Sequence, residues 1–166
     1  MTTYPTWAAG QRVTAALLAG MQINRVEASG GTSNATTTLA DCPGMNFIAD
    51  ANATYDMRLV ASYDSPTATD IKFAWTGPSG AGMVRSITAP AAGMTTNADT
   101  TVTAIRRSMG TQQVGGGMGT GNFLTWLEQI TLTTTTSGVV QLQFAANAAG
   151  TAVFNSGGYF IYVRVA

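Results

Sequence analysis

The sequence predicts an all-β fold, an antiparallel jelly-roll-like sandwich preceded by a short N-terminal arm. From about residue 36 onward, apolar residues recur with a period of two, which is typical of half-buried strands. Turn signals rich in Gly, Asn and Pro separate about eight to ten such segments, a spacing typical of a sandwich or barrel. No helical pattern between the strands could provide crossovers, so antiparallel pairing is favoured. An immunoglobulin-like sandwich is the alternative, although the chain lacks a Cys pair around a Trp.

The first 27 residues predict an arm. Apolar residues recur there at helical spacing, and Thr14 is placed to cap a helix N-terminus. We expect one short helix at about 14–22, which is marginal alone, so its apolar stripe must lie on another surface. The chain thus divides into an arm of residues 1–27 and a β domain of residues 28–166. The residues expected to dock on a partner are Trp7, Val13, Leu17, Leu18 and Met21.

The β domain is expected to run from strand to strand, each ended by a turn signal. The strand at 123–135 has apolar residues on both faces, which predicts a central strand or one that faces a neighbouring subunit. Its Thr-rich end, 131–136, is interpreted as an exposed edge because Thr favours strands. The Gly-rich segment 115–121 is interpreted as a flexible surface loop. The other strands are expected at about 55–63, 71–75, 83–89, 100–106, 140–146 and 159–165, with a short segment at 153–154.

The composition argues against an enzyme and against cofactors. The chain has no His, one Cys and 10% charged residues, where an ordinary domain has about 25% charged residues. A Ser–His–Asp triad needs an imidazole, and a zinc site needs clustered His and Cys. We therefore expect no catalytic residue, no metal and no cofactor. The single cysteine, Cys42, is interpreted as a small buried hydrophobe.

Nucleic acid and membrane are also disfavoured as partners. The formal net charge is zero and the cations are scattered, whereas phosphate binding needs clustered Lys and Arg. No apolar run approaches the roughly 20 residues of a spanning helix. The N-terminus lacks the basic and apolar regions of a signal peptide, which predicts synthesis in a cytoplasm.

The acidic residues leave two further interpretations open. Asp64 and Asp70 flank the loop 65–69, and two carboxylates with loop carbonyls could hold Ca²⁺. Turn-forming Asp residues that bond to the backbone are the favoured interpretation. A glycoside hydrolase needs two carboxylates in a cleft, and nothing in the spacing of the eight acids selects such a pair.

The scarcity of charge predicts self-assembly. A surface of Thr, Ala, Ser, Gly, Asn and Gln can pack against copies of itself without burying unpaired charges. Symmetric homo-oligomers are the usual outcome. Most aromatic residues are expected in the core and some at a subunit interface, where aromatic side chains are enriched. The interface candidates are Trp75, Trp126, Phe160 and Tyr162.

Several stretches of the chain carry a resemblance to a known group. The opening reads Pro5-Thr-Trp7-Ala-Ala-Gly10 and continues to Thr14-Ala-Ala-Leu17-Leu18. It resembles the start of small β-rich virion proteins of actinobacterial phages and prophages, where an aromatic residue, Ala-Gly and Thr-Ala-x-Leu-Leu precede a short helix. Cys42 departs from the pattern, since a second acidic residue often follows Asp41 in that group. The other similar stretches are 33–41, 51–59, 73–81 and 149–165.

The resemblance implies a structural component of the virion, assembled in the cytoplasm of the bacterial host. We expect a minor capsid protein of the decoration (cement) type, a trimer that binds the major capsid protein through apolar contacts. The chain has no long shaft or collagen-like repeat, which favours decoration over a tail fibre. A tail-fibre or tail-tip knob that binds host glycan is the alternative, with Trp75 or Trp126 as a stacking platform. A hydrolase of cell-wall sugar is the third hypothesis.

Overall fold

The structure, a computed structural model, describes residues 9–12, 14–15, 22–94 and 101–166. Residues 16–21 of the expected helix lie outside the described part, as do the five docking residues Trp7, Val13, Leu17, Leu18 and Met21. The described residues form twelve strands, which are β1 (Asn24–Glu27), β2 (Thr32–Asn34), β3 (Ala40–Ala49), β4 (Ala53–Asp64), β5 (Ile71–Thr76), β6 (Gly82–Pro90), β7 (Val102–Ser108), β8 (Gln113–Gly115), β9 (Leu124–Thr134), β10 (Gly138–Ala146), β11 (Ala152–Phe154) and β12 (Tyr159–Arg164).

The strands form two antiparallel sheets that pack as a sandwich, which confirms the predicted all-β fold. The large sheet has the order β1-β12-β4-β9-β6-β7, and β11 pairs with the far end of β4 and with β2. The small sheet has the order β3-β10-β5-β8. The chain changes sheet at each step from β3 to β5 and again from β8 to β10. This order is compatible with a jelly roll, to which the β6–β7 hairpin adds two strands on the large sheet.

The hydrophobic core lies between the sheets because alternate residues of each strand point inward. On β9 every second residue from Leu124 onward is buried. Aromatic rings of the small sheet meet those of the large sheet edge to face: Phe73 lies 5.0 Å from Trp126 and Trp75 lies 5.5 Å from Phe160, between ring centroids. Full burial of one such side chain stabilises the fold by about 1.5–3 kcal/mol.

The β domain begins earlier than predicted. Residues 24–27 form β1 and pair with β12, with Asn24 opposite Tyr162 and Glu27 opposite Tyr159. They are an edge strand of the large sheet, so the predicted boundary after residue 27 is wrong. A four-residue strand carries too little alternation to be distinguished from the helical pattern before it.

The Thr-rich end of the long strand is not an edge. β9 pairs with β4 on one side and with β6 on the other, so the interpretation as a central strand is confirmed and the edge interpretation is wrong. Thr131 and Thr133 point to solvent, while Thr134 is buried and its hydroxyl donates to the Asp50 carbonyl oxygen at 2.6 Å. Exposure of every second residue follows from the alternation of the strand and requires no free edge.

The Gly-rich segment 115–121 is only in part a surface loop. Gly115, Gly116 and Gly117 are buried, because this stretch passes under its neighbours with no room for a side chain. A Cβ on Gly117 would lie 2.3 Å from the carbonyl oxygen of Pro66, and one on Gly116 would lie 2.1 Å from that of Ala91. The glycines here permit close approach of two backbones.

Candidate interaction surface

The outer face of the large sheet spans five neighbouring strands. Its side chains are those of β12, β4, β9, β6 and β7 that alternate away from the core. The register aligns one row of neighbours straight across the five strands, which we call the central row. Neighbours in such a row have Cβ atoms about 5 Å apart. The central row consists of Ile161, Arg58, Gln129, Ser86 and Arg106.

Apolar and small polar residues flank the central row on both sides. On one side Val60, Leu127 and Thr88 are aligned, and on the other side Thr131 and Val84. Leu127 is 36% exposed and Val84 is 39% exposed, so each adds apolar area to this face. The outer face therefore mixes apolar and neutral side chains with three charged ones, Asp56, Arg58 and Arg106.

A shallow groove of about 460 Å³ runs along this face. It lies between β12 and β6, over the backbone of β4 and β9, and Ile23 borders it just before β1 begins. Ile23 is 68% exposed, so it adds apolar surface to the groove without being covered itself. The groove is lined in part by Ile23, Asp56, Arg58, Val84, Gln129 and Ile161.

The electrostatics of the outer face are simple. The ion pairs of the described residues are Arg25–Glu27, Arg85–Glu128 and Arg164–Asp50, so Arg58 has no acidic partner within the described part. The Thr131 hydroxyl donates to the Asp56 carboxylate at 3.5 Å, at the limit of a hydrogen bond. A partner with hydroxyl, amide or carboxylate groups could bind Arg58 without displacing any internal contact. Non-covalent binding is the chemistry that these groups support.

Three of the four predicted interface residues are not available for contact with a second subunit. Trp75, Trp126 and Phe160 have no exposed surface in the single chain, because they fill the space between its two sheets. Their predicted interface role is wrong, and so is the role of Trp75 or Trp126 as a glycan platform. Tyr162 is half-buried, stacks on Phe47 with a 4.1 Å centroid distance and borders the groove. Its interface role stays a prediction.

A buried ionic cluster in the core was not anticipated from the sequence. The Glu128 carboxylate accepts from Arg85 Nε at 2.9 Å and pairs with Arg85 Nη2, and both side chains have no exposed surface. It also accepts from Trp75 Nε1 at 3.0 Å and from Trp126 Nε1 at 2.7 Å. Arg85 Nη1 donates to the Thr111 carbonyl oxygen at 2.8 Å. The cluster joins β5, β6 and β9, and hence the two sheets.

A sequence signal for this cluster exists. Arg85 lies between Met83 and Ile87 in the inward phase of β6, and Glu128 lies between Trp126 and Ile130 in the inward phase of β9. A charged residue in phase with apolar ones indicates either a broken strand or a buried charge. Two of them with opposite sign indicate a buried pair.

The remaining polar candidates have structural contacts. Asp64 accepts from the Gly121 amide at 2.6 Å and Asp70 from the Gly117 amide at 2.9 Å, in accord with the turn-forming interpretation. Cys42 is buried, which confirms its interpretation as a small hydrophobe, and burial raises the pKa of its thiol. A thiol held in its neutral form is a poor nucleophile.

Within the described ranges, no helix has the length and apolar character needed to span a membrane. Comparison of the chain with family models, with curated proteins and with solved structures finds no match in any of the three. The function is therefore argued from the surface and the sequence alone.

Proposed function

We propose that this chain is a structural component of a phage particle, a decoration (cement) protein that binds the major capsid protein and stabilises the shell. It acts as a homo-oligomer, with a trimer as the expected form. Nucleic acid, membrane and cofactors take no part in the attachment. The observation that carries the proposal is the outer face of the large sheet, where Leu127 and Val84 are exposed beside neutral side chains.

The mechanism is binding to the assembled state alone. A protein that binds the closed shell and not its free subunits shifts the equilibrium toward the shell by mass action. An interface of about 800 Å² per partner is typical of stable association. Apolar burial contributes about 25 cal/mol for each Å². Because few ion pairs form, attachment is expected to depend only weakly on salt.

The test is attachment of the purified full chain to particles assembled without it. We expect co-sedimentation with shells to be similar at low and at high NaCl. The double substitution Val84→Asp and Leu127→Asp places two charges on the outer face and is expected to abolish co-sedimentation. The control is Ile48→Asp, which changes a side chain that is 75% exposed on the small sheet. Release of the wild-type protein by salt, or equal loss in the control, would contradict the proposal.

A glycan-binding knob of a tail fibre or tail tip is the second candidate. The groove of about 460 Å³ is of the size that small ligands occupy. Arg58 and Gln129 line it and offer hydrogen bonds to sugar hydroxyls. Binding on a glycan array, lost in Arg58→Ala, together with a few copies per particle at the tail, would favour the knob. Hundreds of copies on the shell would favour decoration.

A further inference from the structure

One end of the sandwich brings the β4–β5 connection against the Gly-rich segment. Alternate amides of that segment donate into the connection: Gly117 N to Asp70 Oδ1 at 2.9 Å, Gly119 N to the Ser65 carbonyl oxygen at 3.1 Å, and Gly121 N to Asp64 Oδ2 at 2.6 Å. The close approach is possible because residue 117 has no side chain. Two carboxylates are thereby held at one end of the fold.

Two polar atoms at this end lack the hydrogen bonds that burial requires. Asp64 is 8% exposed and Ser65 is fully buried, yet Asp64 Oδ1 and Ser65 Oγ have no hydrogen-bond partner. A buried carboxylate oxygen without a partner costs several kcal/mol in general, and a cation is the usual remedy. The cations that form ion pairs in the described part, Arg25, Arg85 and Arg164, bind other acids.

A tyrosine hydroxyl lies against this end of the sandwich. Tyr63 immediately precedes Asp64 and donates its hydroxyl to the Gly116 carbonyl oxygen at 2.8 Å. That hydroxyl is therefore satisfied by the Gly-rich segment, whereas Asp64 Oδ1 and Ser65 Oγ have no such partner.

We propose that this end of the sandwich binds a hard divalent cation, Ca²⁺, through Asp64 Oδ1 and Ser65 Oγ. Ca²⁺ takes carboxylate, hydroxyl, carbonyl and water oxygens in flexible geometry, which suits a loop. No group of three His, Cys, Asp or Glu side chains that could hold a metal occurs in the described ranges. Backbone carbonyls and water therefore complete the coordination. The bound ion stabilises the contact between the β4–β5 connection and the Gly-rich segment, whatever partner the outer face binds.

The experiment compares thermal unfolding of the full chain in EGTA, in CaCl₂ and in MgCl₂. A site with a Kd near 10⁻⁴ M raises the Tm by roughly 5–11 °C in 10 mM Ca²⁺ for a chain of this length. Mg²⁺ is expected to raise it less, since it demands stricter geometry. Tb³⁺ is the optical probe, because Tyr63 and Trp126 border the Gly-rich segment and can sensitise its emission.

Matched variants separate cation binding from a structural role. Asp64→Asn keeps an oxygen for the Gly121 amide but removes the charge, so it is expected to abolish the Ca²⁺ shift and weaken Tb³⁺ binding by at least about 10-fold. Ser65→Ala removes only the unpartnered hydroxyl and is expected to reduce both, which keeps the test valid if Asp64→Asn does not fold. Asp56→Asn on the outer face is the control and keeps both. Absence of a Ca²⁺ shift in the wild type, or an equal shift in Asp64→Asn, overturns the proposal.

Discussion

At two adjacent residues of β9, the strand's two faces invert the usual arrangement of apolar and charged side chains. Leu127 points outward and is 36% exposed, while its neighbour Glu128 points inward and is 1% exposed. The outward side lies among neutral and apolar side chains, with Arg58 unpaired within the described part. On the inward side, the Glu128 carboxylate is paired with Arg85 and accepts hydrogen bonds from two indole N–H groups. The inner face uses polar groups to hold the two sheets together, and the outer face leaves apolar surface for a partner.

The inner cluster also fixes how the sheets are aligned. Glu128 receives hydrogen bonds from Arg85 on β6 and from Trp75 on the opposite sheet. A shift of one residue in either strand would turn these groups to solvent and break the bonds. A purely apolar core would also oppose a one-residue shift, but it would tolerate a two-residue shift better, because apolar contacts carry little directional preference. We therefore interpret the cluster as a determinant of register.

The largest effect is expected from breaking the inner cluster. Glu128→Gln leaves Arg85 as a buried charge without its counter-ion, and its amide NH₂ replaces the oxygen to which either Trp75 or Trp126 donates. Removal of one partner of a buried pair costs about 3–5 kcal/mol in the free energy of unfolding. Urea denaturation followed by Trp fluorescence measures this, since both indoles are buried against Glu128.

Two further variants test whether charge is the cause. The double substitution Arg85→Met and Glu128→Leu removes both charges and is expected to be more stable than Glu128→Gln, because no charge is left buried. Gln129→Ala, one residue further along on the outer face, is expected to change stability by less than about 0.5 kcal/mol. A cost below about 1 kcal/mol for Glu128→Gln would show that the cluster does not hold the sheets.

Alternation in the sequence is sufficient to predict the fold class but not its polar details. The inward phase of β4, β5 and β10 can be predicted because apolar residues recur there with a period of two, whereas β9 has apolar residues on both faces. Trp75 and Trp126 are recognisable as aromatic residues, but whether such a residue faces the core or a second subunit depends on which sheets pack together. The partner of Glu128 lies 43 residues away on β6, so only the topology brings the pair together.

The packing of the Gly-rich segment could not be predicted from the local sequence either. Dense glycine indicates freedom of the backbone, and freedom is as useful for close packing as for a mobile loop. Gly117 approaches the backbone of Pro66 and Gly116 that of Ala91, so these two glycines serve close packing. Those two residues lie about 25–50 positions away along the chain, at a distance no local pattern can reveal. The unpartnered Asp64 oxygen is likewise a property of the assembled end of the sandwich and has no sequence signature.

An effect of intermediate size on the free energy of unfolding is expected at alkaline pH, because buried groups of the core ionise there. Burial raises the pKa of Cys42 from its ordinary 9.0 and that of Tyr63 from its ordinary 10.0. The unfolded chain loses these protons first, so the stabilisation is complete below pH 9 and falls as pH rises above it. Above its ordinary pKa, each group lowers the free energy of unfolding by about 1.4 kcal/mol per pH unit. We expect a loss of about 2–3 kcal/mol by pH 10.5 in urea denaturation.

The variant Cys42→Ala separates the two groups. Its stability is expected to stay level up to about pH 10, where only Tyr63 and the other buried tyrosines begin to contribute. Between pH 6 and 8 we expect a flat profile for both proteins, because the chain has no His. A wild-type profile that is flat to pH 10.5 would mean that the folded protein accommodates the thiolate, contrary to the burial of Cys42.

The smallest effect on stability is expected at the outer face itself. Leu127→Asn removes an apolar side chain that is already 36% exposed and keeps a residue of similar size. Because Leu127 is mostly covered by its strand neighbours and Asn is disfavoured in strands, we expect the free energy of unfolding to fall by about 1 kcal/mol. The same substitution is expected to weaken attachment to shells, because it removes apolar area from the proposed interface. A stability loss as large as that of Glu128→Gln would mean that Leu127 belongs to the core, and the outer face would then have no surface to offer a partner.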